Sequence, residues 1–309
     1  MKIMSRTFVK AFIIFVFAIG CITILNRHKQ NKQMVTENTK ISLTETDDTV
    51  SDFKEINLET SFQSNQLHLV TNYPIIFLPP WSRNQSENNL SRLKERQEEI
   101  EETLQRNLNH PFVKNVHVFV NQGSAEKRLN HLGVRNKHKL VICYYEGMPS
   151  YRHFLKYVSQ RLQNKVIAIT NMDVYLGEGF EKLNVTFLTK HNIAYVLTRS
   201  GKKEKRCNMS HGAVCERRYF GSHDTYIMNL TEAISDEVLE IMKMDMNIDG
   251  IDNRLLWVLK NKMNKKLLNP CHFLKTYHNH CVAIHGSKRY TKLPKEGKYL
   301  KCRPSGLYT

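Results

Sequence analysis

The sequence lacks the short motifs that identify several classes of binding protein. None of its seven cysteines forms a C-x-x-C pair, and no zinc-finger spacing or RNA-binding strand signature is present. No internal repeat is present either. These absences disfavour zinc-knuckle, repeat and sequence-reading nucleic-acid-binding proteins.

Acidic residues are scarce relative to basic ones. The chain has 29 Asp and Glu against 46 Lys and Arg, a formal net charge of +17. Such a balance indicates an acidic partner, namely a nucleotide-diphosphate substrate, a polyanionic glycan, an anionic membrane surface or nucleic acid. The basic residues are scattered or lie in loop-like runs (Lys202–Arg206, Lys260–Lys266 and Lys288–Arg303), so we predict no nucleic-acid partner.

The amino terminus has the pattern of a membrane anchor followed by a stem. Residues 1–10 are basic and predict a cytosolic tail, and residues 11–25 are apolar and predict a signal-anchor helix. A cleaved signal peptide ending at Gly20 and a lipoprotein with Cys21 as its lipidated residue are the alternatives. Residues 26–66 are too polar to bury a core, which predicts a flexible stem.

The cysteines beyond the anchor indicate an oxidising compartment. Six follow residue 25, and five N-x-S/T sequons accompany them. Spacing favours two local disulfide loops, Cys207 with Cys215 and Cys271 with Cys281. A zinc site formed by either pair with a neighbouring histidine is the alternative.

Strand-like and helix-like segments alternate over residues 67–290. The predicted strands are Leu67–Val70, Val116–Val120, Leu140–Tyr144, Val166–Ile169, Asn192–Thr198 and Thr225–Met228. The predicted helices are Ser86–Leu108, a Ser150-capped helix ending near Leu162, and Ile251–Met263. In the first helix, leucines at 90, 93, 104 and 108 and Ile100 form one apolar face, with charged residues on the other. This alternation predicts a single α/β domain with a mostly parallel sheet, followed by a basic tail at residues 291–309.

The strand at Val166–Ile169 ends in polar residues. Thr170, Asn171 and Asp173 follow it directly. Ligands of open α/β sheets bind at the carboxyl ends of strands, where a carboxylate can hold a divalent cation against a phosphate. The alternative is that Asp173 only caps the turn.

Further acids and two histidines occur later in the chain. Asp224 begins a predicted strand, Asp252 lies at the start of an apolar helix, and His278 and His280 lie near the domain's end. The structural alternatives are a turn acid, a helix N-cap at Asp249 or Asp252, and hydrogen-bonded loop histidines.

The order of these segments resembles the glycosyltransferases of the GT-A type, which bind nucleotide sugars. The resemblance covers residues 67–285 and rests on Leu69–Tyr73, Tyr151–Phe154, Ala168–Tyr175, Leu197–Arg199, Ser222–Tyr226, Gly250–Arg254, Asn269–Pro270 and Tyr277–His280. It implies a GT-A-like twisted sheet flanked by helices. It also implies a single-pass type II Golgi membrane protein, with secreted and bacterial membrane-anchored forms as alternatives.

By this resemblance, Asp173 is the metal-coordinating acid of a D-x-D-like motif. Asn171 stands in place of the first carboxylate, and both residues would bind the nucleotide sugar. His278 or His280 would complete the coordination of Mn²⁺ or Mg²⁺. Because an amide lowers the charge of such a site, metal dependence stays open.

The resemblance also assigns the remaining site residues. Thr71, Asn72 and Arg152 would lie near the nucleotide, with the planar guanidinium of Arg152 suited to a diphosphate. An inverting reaction needs a base, for which Asp252 is the first candidate and Asp224 the second. A retaining reaction would not need either in that role.

The sequence thus predicts transfer of a sugar from a nucleotide-sugar donor to a hydroxyl of a glycan, protein or lipid acceptor. A non-catalytic lumenal protein that binds glycans or a partner on the same fold is the alternative. A sulfotransferase would need a phosphosulfate-binding loop after the first strand, which Thr71–Pro80 lacks. We further expect Asp173→Asn to abolish turnover and to leave the fold intact.

Overall fold

The computed structural model describes residues 66–76, 87–121, 123–201, 215, 223–282, 293 and 298–309. The predicted tail, anchor and nearly all of the stem lie outside these residues. Among the helices that are described, none combines the length and the apolar character needed to cross a membrane.

Ten strands are described, seven of them in one sheet. They are β1 (Leu67–Asn72), β2 (Val113–Val120), β3 (Leu140–Tyr144), β4 (Val166–Thr170), β5 (Val174–Leu176), β6 (Ile193–Thr198), β7 (Ser200–Gly201), β8 (His223–Asn229), β9 (Lys266–Leu268) and β10 (Thr276–His278). The large sheet has the order β3-β2-β1-β4-β8-β6-β9, and β5, β10 and β7 form a small second sheet. Four of the six pairings in the large sheet are parallel, and β8 runs antiparallel to both of its neighbours.

Helices cover both faces of the large sheet. They are α1 (Glu87–Asn109), α2 (Gly123–His131), α3 (Tyr151–Arg161), α4 (Val185–Lys190), α5 (Asp236–Ile241) and α6 (Ile251–Asn261). One buried cluster packs α1 and α2 against one face, and a second packs α3, α5 and α6 against the other. All five residues of β4 are buried, as expected for a strand covered on both sides. The predicted α/β class with a mostly parallel sheet flanked by helices is confirmed.

Helix α1 departs from the predicted separation of apolar and charged faces. Leu90 is exposed, whereas the buried face carries polar side chains between its leucines. These buried polar residues are Arg96, Gln97, Thr103 and Asn107. Buried polar groups need hydrogen-bond partners. The buried polar side chains of α1 include Arg96 and Asn107, which form hydrogen bonds with segments that pack against the helix.

Asn107 shows how α1 holds the short strand β5. Its side-chain amide donates to the carbonyl of Val174 at 3.1 Å and its oxygen accepts from the backbone N–H of Leu176 at 3.0 Å. These bonds pair backbone groups of β5 that do not face β10. Asn107 therefore fixes the strand that directly follows Asp173.

We expect Asn107→Ala to destabilise the protein by about 2–4 kcal/mol, because two buried backbone groups of β5 lose their partners. Urea denaturation followed by circular dichroism measures the change. The matched control is Asn109→Ala, which truncates an exposed asparagine two residues further along α1. Equal stability of the two variants would contradict this role of Asn107.

The disulfide pairing differs from the predicted local loops. Cys215 is bonded to Cys271, and Cys281 is also disulfide-bonded. The Cys207–Cys215 and Cys271–Cys281 loops were therefore wrong. The alternative zinc sites are excluded as well, because each would use a cysteine of the Cys215–Cys271 disulfide.

The end of the chain packs on the domain without a bridge from Cys302, whose thiol is free. The side-chain amide of Asn253 donates to the Leu300 carbonyl at 2.7 Å, and the Tyr195 hydroxyl donates to the Leu307 carbonyl at 2.5 Å. Hydrogen bonds to backbone carbonyls thus hold this segment in place.

Candidate active site

The candidate site lies at the carboxyl end of β4, where sheet register brings polar residues together. Strand β1 runs parallel to β4, so Thr71 and Asn72 lie at the same edge. Strand β8 runs antiparallel to β4 with Thr225 opposite Thr170, which places Asp224 beside Asn171. Segments far apart in sequence therefore converge at one edge of the sheet.

Asp224 is the most buried acid of this edge, at 2% exposure. Its Oδ1 accepts from the side-chain amide of Asn171 at 2.8 Å and from the guanidinium of Arg199 at 2.9 Å. Its Oδ2 is buried and has no hydrogen-bond partner among the described residues. Asn171 thus acts as a donor to Asp224, which a carboxylate at that position could not do.

Asp252 lies in the first turn of α6. The N-cap of this helix is Gly250 in a left-handed conformation, so the alternative that Asp249 or Asp252 is the N-cap was wrong. The hydroxyl of Tyr151 donates to Asp252 Oδ1 at 2.5 Å. Burial, followed by the nearby charge of Asp224, raises the pKa of Asp252 to about 7. Asp252 therefore exchanges its proton near neutral pH.

Two buried tyrosines support this acid pair. The rings of Tyr151 and Tyr226 meet edge to face, with their centroids 5.8 Å apart. Burial, and then the charge of Asp252, raises the pKa of both phenols well above the usual range. The Tyr151 hydroxyl therefore remains a hydrogen-bond donor to Asp252.

A second cluster surrounds Asp173. Strand β10 pairs antiparallel with β5 so that His278 lies opposite Val174. His278 Nε2 and His280 Nδ1 lie 3.0 and 3.4 Å from Asp173 Oδ2, and the guanidinium of Arg96 forms an ion pair with the same oxygen. Although burial opposes ionisation, His278, His280 and Arg96 hold the pKa of Asp173 well below its usual range.

The spacing of this cluster suits a metal ion, but its hydrogen bonding does not. One ligand atom each from Asp173, His278 and His280 lies within 4.8 Å of the others. However, Arg96 already contacts the carboxylate oxygen to which both imidazoles point. In addition, His278 Nδ1 is buried and has no partner among the described residues, whereas a metal-ligating histidine normally donates its other ring N–H. The side chains as arranged do not fit a bound cation.

The predicted nucleotide-binding residues are only partly brought together. Thr71 Oγ1 is buried with no hydrogen-bond partner in the described part of the chain, and the Asn72 amide lies 3.9 Å from the sulfur of Met172. Both residues are at the site edge. The guanidinium of Arg152 pairs with Glu240 on α5 at 2.5 Å.

Several side chains that form this candidate site were not identified from the sequence. Arg96 was assigned to the charged face of α1, and no role was given to Tyr151, Arg199 or Tyr226. The signal for Arg96 was its spacing, because it lies three residues after Leu93 and four before Ile100, on the buried face. No comparable local signal marks Arg199, whose partner is 25 residues away.

Comparison with known proteins assigns no family to the chain. No protein-family model and no curated protein matches it. Among solved structures, UTP-bound UGPase from Acinetobacter baumannii matches with a TM-score of 0.36 and 8% identity over 69% of this chain and 85% of that chain. The inositol-1-phosphate CTP transferase from T. maritima matches with a TM-score of 0.35 and 12% identity over 73% and 94% of the two chains. These values are too low to assign an activity.

Proposed function

We propose that this protein is a glycosyltransferase that moves a sugar from a nucleotide-sugar donor to a hydroxyl acceptor. The observation that carries the proposal is the placement of Asp252, hydrogen-bonded to Tyr151, together with Asp224 at the carboxyl edge of the sheet. Burial and the charge of Asp224 raise the pKa of Asp252 to about 7. A general base works best when its pKa lies near the working pH. Asp252 would accept the proton of the acceptor hydroxyl as it attacks the sugar, which is the requirement of an inverting reaction.

The same edge offers basic groups for the leaving diphosphate. The side chains of Arg199 and His280 are 20% and 24% exposed, so they can contact a ligand while they pair with Asp224 and Asp173. Negative charge develops on the diphosphate as the sugar bond breaks, and positioned basic groups stabilise it. The polar side chains of Thr71 and Asn72 would contact the nucleotide from the end of β1.

The disulfide Cys215–Cys271 supports an oxidising compartment for this reaction. We therefore keep the Golgi lumen as the proposed location. The membrane anchor at residues 11–25 remains a prediction from sequence.

A donor screen tests the proposed function. The full chain is incubated with a panel of UDP-, GDP- and CMP-sugars, and release of the nucleotide is measured with and without simple sugar and peptide acceptors. We expect release from at least one donor, increased by a suitable acceptor. Donor binding without any release of nucleotide would contradict the transferase and support a non-catalytic protein, and the absence of both binding and release would also reject the transferase.

A further inference from the structure

Arg96 is an almost fully buried cation at the centre of the Asp173 cluster. Its side chain is 2% exposed and its guanidinium forms an ion pair with Asp173. One guanidinium nitrogen also donates to Glu99 at 2.8 Å and to the Asn279 carbonyl at 2.7 Å. The planar group thus links α1 to the central acid and to the segment that carries both histidines.

Glu99 and Asn279 make this link rigid. Glu99 Oε1 accepts from the backbone N–H groups of Cys281 and Val282 at 2.8 and 3.2 Å. The backbone N–H of Asn279 donates to the Asp173 carbonyl at 2.7 Å, and its side-chain amide donates to the Glu99 carbonyl at 2.9 Å. Because each member has several partners, Arg96 cannot leave Asp173 without breaking contacts elsewhere in the network.

The tautomer of His278 is consistent with a cluster in which the Arg96 guanidinium is the cation. Asp173 is ionised and accepts, so His278 Nε2 must carry a hydrogen to donate across the 3.0 Å contact. A metal ion at Nε2 would move that hydrogen to Nδ1, which is buried without a partner among the described residues. The unpaired N–H would cost free energy, and the ion would also lie beside a guanidinium of the same charge.

We propose that Arg96 takes the place of a divalent cation in this cluster, so that the protein binds no Mn²⁺ or Mg²⁺ between Asp173 and the two histidines. Arg96 is then a positioning residue, which fixes Asp173 and the His278–His280 segment and supplies the positive charge that a metal would otherwise provide. Its contribution to sugar transfer rests on the proposed function, whereas its effect on metal binding does not.

Mn²⁺ binding to the full chain, measured by isothermal titration calorimetry and by electron paramagnetic resonance, tests the proposal. In the wild-type background we expect His278→Ala to leave Mn²⁺ binding unchanged. In Arg96→Gln the competing guanidinium is gone and only the cost at His278 Nδ1 remains, so we expect one additional Mn²⁺ site that the wild type lacks and that is lost in Arg96→Gln/His278→Ala. The control Arg92→Gln removes an arginine one turn earlier on α1 and should gain no site.

Mn²⁺ binding by the wild type and by Arg96→Gln can each contradict the proposal. One Mn²⁺ bound by the wild type and lost in His278→Ala would overturn it, and this result does not depend on whether Arg96→Gln folds. A folded Arg96→Gln chain without a new Mn²⁺ site would also overturn it. Absence of transferase activity with the expected Mn²⁺ results would reject the proposed function and leave the metal inference standing.

Discussion

Asp252→Asn is expected to lower turnover by about 10²–10⁴-fold, because the amide cannot accept the proton of the acceptor hydroxyl. Wild-type turnover should rise with pH through about 7, where the folded-state pKa of Asp252 lies. The residual turnover of the variant should lack that rise. Steady-state rates from pH 5 to pH 9 with the donor found in the screen provide the measurement.

Asp249→Asn is the matched control, since it removes an exposed carboxylate three residues earlier. It should keep both the rate and the pH profile. If Asp252→Asn lowered turnover only slightly, or kept the rise near pH 7, Asp252 would not be the base. Asp224, the second candidate, would then be tested in the same way.

The raised pKa of Asp252 also has a consequence for stability. The pKa of its carboxyl group is about 7 in the folded state, whereas the ordinary pKa of 3.8 applies in the unfolded state. The folded protein therefore binds this proton more tightly. The free energy of unfolding should therefore fall as pH rises from about 4 to about 7. Asp252→Asn removes this dependence and should be more stable than wild type at pH 8, by about 2–4 kcal/mol, with little difference near pH 4. Urea denaturation of both proteins at pH 4 and pH 8 measures the difference in their free energies of unfolding. An equal difference at the two pH values would contradict the prediction.

Asp173→Asn is expected to destabilise the protein by about 1–3 kcal/mol, because the buried guanidinium of Arg96 loses one of its two carboxylate partners and keeps only Glu99. Turnover should be lost as well. This expectation revises the one drawn from sequence, in which the variant loses turnover and keeps its fold. Thermal and urea denaturation of the full chain measure the loss of stability.

A double-variant cycle separates the ion pair from the rest of the cluster. Arg96→Gln/Asp173→Asn should be more stable than the sum of the two single losses predicts, because each single variant leaves one charge of the Arg96–Asp173 contact without the other. Glu98→Gln, an exposed substitution on α1, serves as the control and should have little effect. Additive losses in the double variant would show that the two charges do not interact.

The elements of the fold were largely predictable, and their pairing was not. Val166–Ile169 was expected as a buried strand because an apolar, β-branched run is characteristic of one, and β4 spans Val166–Thr170. The antiparallel direction of β8 depends on which strands it pairs with, and no local pattern encodes that. The three-residue strands β5 and β10 are too short to show a period.

The candidate site was also predicted only in part, because its residues were identified from local sequence whereas their contacts join distant segments. Asp173, His278 and His280 were grouped from sequence, and the structure places them within 4.8 Å of one another. The role of Asp173 changes because Arg96 lies against it, which requires the packing of α1 on β5. The pKa of Asp252 likewise depends on Asp224, which belongs to a strand that begins 29 residues earlier.

By itself, the sequence determined the α/β class, the positions of most strands and helices, and the polar end of β4, because each follows from local composition and periodicity. Only the tertiary structure decided the strand order, the Cys215–Cys271 bridge, the buried ion pair and the acid pair at the site. Those features join residues distant in sequence, and burial sets their charges. The partner of a side chain cannot be read from its neighbours along the chain.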